Sequence, residues 1–129
     1  MVSATIADIY RCYIACLNAQ DWLSLSRFVT ADVEHNGRSF GLAGYRAMLE
    51  EDFRQIPDLA FRLDLLIEDT PIIGARLAFD CRPTGLFLGL PVYGRRVSFT
   101  ENVFYEFRGA KIARVWSVVD KAAIEAQLA

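Results

Sequence analysis

The sequence is poor in the residues that build metal centres, and it lacks long apolar runs. It holds one histidine and three cysteines in 129 residues. Cys12, Cys16 and Cys81 form an odd set without CxxC spacing, which argues against a disulfide framework and for reduced thiols. Cys12 and Cys16 stand one helical turn apart, as metal ligands sometimes do. A single histidine leaves the ligand count short, so no metal site is expected and both cysteines are read as small core-facing residues. No apolar run reaches the roughly 18 to 20 residues that span a bilayer. The first apolar stretch carries Asp8 and Arg11 and lacks the layout of a signal peptide. The expectation is a cytoplasmic protein that does not engage membranes. With a formal net charge of −2 and no basic stripe, nucleic acid is not an expected partner either.

What is present is apolar. Hydrophobic residues make up 53% of the chain and aromatics 12%, enough for a well-filled core and a buried subunit interface, and too much for disorder. No repeat, low-complexity tract or linker divides the sequence, so residues 1–129 are read as a single domain.

The spacing changes along the chain. Ile6, Ile9, Tyr10, Tyr13, Cys16 and Leu17 recur at helical intervals and predict an amphipathic helix over Thr5 to Leu17. Asp21 reads as the N-cap of a short second helix carrying Trp22, Leu25, Phe28 and Val29. Asp32 to Gly41 reads as a short strand or hairpin turning at Asn36-Gly37. A third helix over Leu42 to Gln55 places Tyr45, Leu49, Phe53 and Ile56 on one side, and Pro57 ends it. From there the period is two. Phe61, Leu63, Leu65 and Ile67 alternate with polar residues, and further strands follow over Ile72 to Arg82, Val97 to Phe107 and Ile112 to Val119. Asp120 caps a short terminal helix. Helices first and long antiparallel strands afterwards predict an α+β fold with the helices covering one face of the sheet.

On the longest strand, Val97, Phe99, Glu101, Val103, Tyr105 and Phe107 share one face. Glu101 is the single carboxylate in that apolar row. Desolvation raises the pKa of such a group toward neutrality, whereas a partner such as Arg76 on the preceding strand reverses the shift. Glu101 is thus either a proton-transfer group or half of a structural ion pair. Asp80 and Arg82 share a strand face and are a second possible pair.

The stretch Arg82 to Leu128 is similar to the second half of the SnoaL-like polyketide cyclases. It carries a Gly-x-Phe-x-Gly-x-Pro loop (Gly85, Phe87, Gly89, Pro91), a basic turn at Arg95, a Gly-Lys-Ile turn ending at Lys111-Ile112, then Asp120 and a Gln127-Leu128 terminus. Ala31-Asp32, Gly44-Tyr45 and Pro57-Asp58-Leu59 match more loosely in the first half. The resemblance implies a cone-shaped α+β barrel of the nuclear transport factor 2-like type, with a curved antiparallel sheet, an apolar pocket and a homodimer through the outer sheet face. It implies intramolecular aldol cyclisation by acid/base groups without a cofactor.

The family's functional positions carry over unevenly. Its catalytic aspartate falls on Ser117, a glutamine and histidine pair on Glu101 and Val103, and an asparagine of the first hairpin on His35. Glu101 and His35 are therefore the expected catalytic residues, since imidazole also titrates near neutrality; the alternative for His35 is a solvent-facing loop position. Ser117, Arg76, Val103, Tyr105 and Tyr13 are the expected substrate contacts, and Ser117 cannot serve as a base without an activator. Asp120 is read as a helix cap rather than an acid, and Trp116, opposite in face to Ser117, as part of the outer surface. Two further classes stay open: a non-catalytic binder of a small hydrophobic molecule, and an interaction module that uses the outer sheet face.

Overall fold

The computed structural model describes residues 4–129. Helix α1 (Ile6–Asn18) opens on a capping box in which the Asp8 N–H donates to Thr5 Oγ1 and the Thr5 N–H to an Asp8 carboxylate oxygen. It buries Tyr10, Tyr13, Ile14 and Leu17, and removing one side chain of leucine size from water contributes roughly 1.5–3 kcal/mol. The expected second helix is a 3₁₀ segment, Trp22–Arg27, and Asp21 makes no side-chain cap. Phe28 leaves it to accept from the Ile112 N–H at 2.7 Å, and Val29 begins a strand instead of continuing a helix.

Strand β1 (Val29–His35) turns through Asn36 and Gly37 into β2 (Arg38–Ser39). Both turn residues have positive φ, 48° and 80°, which is the two-residue hairpin geometry that Asn-Gly favours. Helix α2 (Gly41–Gln55) ends just before Pro57. Strands β3 (Arg62–Asp69) and β4 (Ile72–Cys81) form a hairpin, and a small ribbon of β5 (Leu86–Phe87) and β6 (Leu90–Pro91) leads to β7 (Val97–Arg108) and β8 (Lys111–Val119).

The main sheet runs β2-β1-β8-β7-β4-β3. It is antiparallel except where β1 lies parallel to β8, which corrects the expectation of an all-antiparallel sheet: the chain reaches β8 from β1 only after a long excursion, so the hairpin rule does not govern that pair. Register shifts interrupt the β1–β8, β3–β4 and β7–β8 ladders, and such bulges bend a sheet. The shift in β3 also corrects its predicted face: after Leu63 the alternation flips, leaving Leu65 and Ile67 exposed while Leu66 packs inward.

The last helix, α3 (Lys121–Leu128), is capped by Asp120, whose carboxylate accepts from the Ala123 N–H at 3.1 Å. Gln127 ties α3 back to β7, accepting from the Ser98 N–H and donating to the Ser98 carbonyl. Asn18 likewise clamps α1 to Phe61 at the start of β3 through two hydrogen bonds of 2.9 and 2.7 Å. The helices lie on one face of the sheet, and the core forms between them.

Candidate functional site

Between the inner face of the sheet and helices α1 and α2 lies a cavity of about 220 Å³. One end is aromatic: Phe61, Phe79, Phe87 and Phe99 line it, with Phe79 and Phe99 stacked at 5.1 Å. The other end gathers the polar groups Glu101, Ser117, His35, Tyr13, Tyr45 and Asp52.

Glu101 stands where strand alternation puts it, between inward-facing Phe99 and Val103 on β7, with Leu77 of β4 and Val119 of β8 as its cross-strand neighbours. Desolvation among these apolar walls, reinforced by the nearby Asp52 carboxyl, pushes its pKa up to about 7; the Ser117 hydroxyl opposes this weakly. Arg76 is not its partner. Adjacent positions on β4 face opposite ways, so with Leu77 inside, Arg76 is exposed on the outer face and its Nε donates to Asn102 Oδ1 at 2.9 Å. Arg76 therefore lines no part of the cavity, which corrects its place among the expected substrate contacts. The expected Asp80–Arg82 pair is absent as well: Asp80 takes Arg96 as its partner, with the Arg96 Nε donating at 2.7 Å.

His35 is half-buried at the polar end. Its ring stacks on Phe40 at 5.7 Å and its Nε2 lies 3.3 Å from Ser117 Oγ. Burial, with Arg38 beside it, lowers its pKa, so the imidazole is neutral at pH 7. Asn36 holds it there. The Asn36 side chain accepts from the Ser117 N–H at 2.8 Å and donates to the Ser117 carbonyl, pinning the β1–β2 turn to β8.

Tyr13, Tyr105 and Val103 line the cavity, as expected. Tyr13 and Tyr45 place their hydroxyls 2.7 Å apart, and Tyr10 donates to Tyr105 at 3.2 Å. Burial raises the pKa of all four phenols, so they stay protonated and act as donors. In the Tyr13–Tyr45 pair one hydroxyl proton bridges the two oxygens, and the other remains available to a third group.

Asp52 escaped the sequence reading. On α2 it follows Tyr45 and Leu49 at the intervals that precede Ile56, and all four line the cavity. The signal was an acid inside the apolar stripe. Burial, with Glu51 nearby, raises its pKa to about 6. Cys12 is exposed while Cys16 is buried, so only the second is core-facing. Among the described residues no three His, Cys, Asp or Glu side chains gather as a metal site would need, and no helix is long and apolar enough to cross a membrane.

A curved, unclosed sheet with helices over one face and an acid-bearing cavity between them defines a nuclear transport factor 2-like protein. Residues 7–128 match the sequence profile of the SnoaL-like polyketide cyclases, and the chain belongs to that family. The crystal structure of a SnoaL-like polyketide cyclase from Agrobacterium tumefaciens is 55% identical and superposes with a TM-score of 0.97 over 98% of this chain and 100% of that one. TsrD from Streptomyces laurentii follows at 25% identity and a TM-score of 0.83, over 99% and 97% of the two chains. IdmH from Streptomyces antibioticus, at 18% identity and a TM-score of 0.80 over 97% and 99%, shares the fold. No curated protein matches the sequence.

Proposed function

We propose that this protein catalyses cofactor-free acid/base chemistry on a small hydrophobic carbonyl compound, of the kind that ends in intramolecular aldol cyclisation. The observation that carries the reading is Glu101: a carboxyl in an apolar row, facing a cavity, with no lysine or arginine among the described residues that line it and a pKa of about 7. A carboxylate of that basicity accepts a proton from a carbon flanked by carbonyls. The electron pair left on carbon spreads onto the substrate's own carbonyl oxygen, where the spare hydroxyl proton of the Tyr13–Tyr45 pair is a fitting donor. The enolate carbon then bonds to a second carbonyl carbon of the same molecule, and that carbonyl oxygen takes up a proton from the site. The site keeps the one that left carbon, so its proton count is unchanged. Neutral His35, with Ser117 beside it, supports proton delivery among the polar groups of the site. Membership of the SnoaL-like family supports this class of chemistry. Serine at 117, where the family resemblance places an aspartate, supports the second reading: a non-catalytic binder of the same kind of molecule.

The homodimer remains a proposal supported by the outer sheet face, where Leu65, Ile67, Phe104, Trp116 and Val118 expose apolar surface.

Exchange of α-protons in D2O, followed by NMR with 2-tetralone as an apolar ketone probe, tests the proton-transfer step. The protein is expected to accelerate exchange saturably, and Glu101→Gln to lose about a hundred- to ten-thousand-fold of the acceleration. A ketone that binds without exchanging overturns the enzymatic reading and favours the binder.

A further inference from the structure

The cavity holds a second carboxyl that the family resemblance does not assign. Asp52 reaches it from α2, and Glu101 reaches it from β7 on the other side. Helix α2 carries cations that could have neutralised Asp52, but they serve other acids: Arg46 pairs with Glu50 at 3.1 Å, and Arg54 donates to Glu51 at 2.8 Å. Both pairs follow helical spacing. Among the described residues Asp52 has no ion-pair partner, Glu101 has none, and no lysine or arginine lines the cavity.

Two carboxylates in an apolar chamber without a counterion cannot both stay ionised cheaply, because desolvation and mutual repulsion act in the same direction. The least costly compensation is one proton carried by the two of them. We propose, building on the acid/base reading of the site, that Asp52 and Glu101 act as a carboxyl pair carrying one proton, with one member serving as base and the other as acid in the same turnover. The balance is simple. The ionised carboxyl takes the proton from carbon and becomes neutral; the protonated carboxyl gives its proton to the carbonyl oxygen and becomes ionised. The proton count of the pair is one before and after, so no net charge builds up in the chamber while the bond forms.

The groups that face the pair are consistent with that state. Tyr45 comes from α2, Tyr10 and Tyr13 from α1 and Tyr105 from β7; all are phenols held protonated by burial. His35 from β1 is neutral, Ser117 from β8 does not titrate in this range, and Glu51 adds negative charge from α2 itself. Arg38 stands beside His35 but lies outside the cavity wall. Burial, with Glu51 nearby, raises the Asp52 carboxyl to about 6, and burial with Asp52 nearby raises the Glu101 carboxyl to about 7.

The test has two readouts. Carboxyl-carbon NMR titration of the full chain, without ligand, follows both acids. In Asp52→Asn the midpoint of Glu101, the second of the two to ionise, is expected to fall by about one pH unit or more, whereas in Glu101→Gln that of Asp52, which ionises first, is not expected to fall. Asp52→Ala keeps the measurement available if Asp52→Asn folds poorly. A Glu101 midpoint that stays put when Asp52 is replaced overturns the pair. With 2-tetralone, wild-type exchange is expected to follow a bell between the two midpoints, and Asp52→Asn to slow exchange and remove the alkaline limb. A bell unchanged in Asp52→Asn also overturns the pair. The carboxyl midpoints need no ketone, so absence of exchange in every form overturns only the acid/base reading and leaves the pair to stand or fall on the titration.

Discussion

The two faces of strand β7 treat charge in opposite ways. On the outer side and its rim, acids are matched: Asp32 with Arg108, Asp80 with Arg96, and Glu106 with Arg114. Their guanidinium partners hold Asp32 and Asp80 below the usual carboxylate range, Asp32 at about 2. On the inner side, Glu101 and Asp52 have no ion-pair partner among the described residues and are pushed the other way. The same residue types thus differ by what surrounds them. Matched acids on an exposed surface contribute little to stability; unmatched acids in an apolar chamber cost stability and gain reactivity near neutral pH.

That contrast breaks if removing an inner acid weakens the fold. Glu101 has a folded pKa of about 7 against an ordinary 4.5. Below the ordinary value both folded and unfolded chains hold the proton, and there is no penalty. As pH rises from there, the unfolded chain ionises first and stability is lost, until the full penalty is reached above the folded value. The lost stability amounts to about 3 kcal/mol. Glu101→Gln has no proton to release, so it is expected to be more stable than wild type by about that amount at pH 8, and no more stable at pH 4. Urea unfolding at the two pH values reads the difference. A destabilised Glu101→Gln at pH 8 would mean that a hidden partner compensates the carboxylate.

An acid satisfied by backbone sharpens the same comparison with the opposite sign. Asp120 accepts from the Ala123 N–H at 3.1 Å and has a helix to hold. Asp120→Ala is expected to lose about 1 kcal/mol, read by the same unfolding measurement. The signs of the two substitutions, a gain inside and a loss at the cap, separate a reactive carboxylate from a structural one.

The face of Glu101, the hairpin and the cap at Asp120 were legible because each rests on local rules, whereas the family resemblance, not a local pattern, pointed to the cavity for His35. Strand alternation fixed the face of Glu101, the Asn-Gly turn fixed the hairpin that carries His35, and an acid just before a helical run marked the cap. What stayed hidden depends on contacts distant in sequence. Asp52 lay on a recognisable stripe but was masked by Phe53, a larger apolar neighbour that drew the helix face toward itself. Arg76 was misplaced because opposite charges on adjacent strands suggest a pair only when both lie on one face. The flip within β3 comes from a bulge, and one inserted residue leaves no periodic trace before it occurs. The parallel β1–β8 pairing joins segments some eighty residues apart, beyond any local pattern.

Arg76 offers the smallest expected effect and the cleanest check that the sheet insulates its two sides. Its Nε donates to Asn102 across the outer surface, while Glu101, one residue earlier on β7, points into the chamber. If the guanidinium acted through the sheet, it would hold the Glu101 midpoint down, and Arg76→Ala would raise that midpoint and move the exchange profile to higher pH. Water around an exposed side chain screens such an influence. Arg76→Ala is therefore expected to leave the Glu101 titration and the tetralone exchange profile where they are, and to change unfolding stability by less than about 0.5 kcal/mol. A midpoint that climbs in Arg76→Ala would show that charge on the solvent side reaches the chamber, and that Glu101 is only partly cut off from the cations behind it.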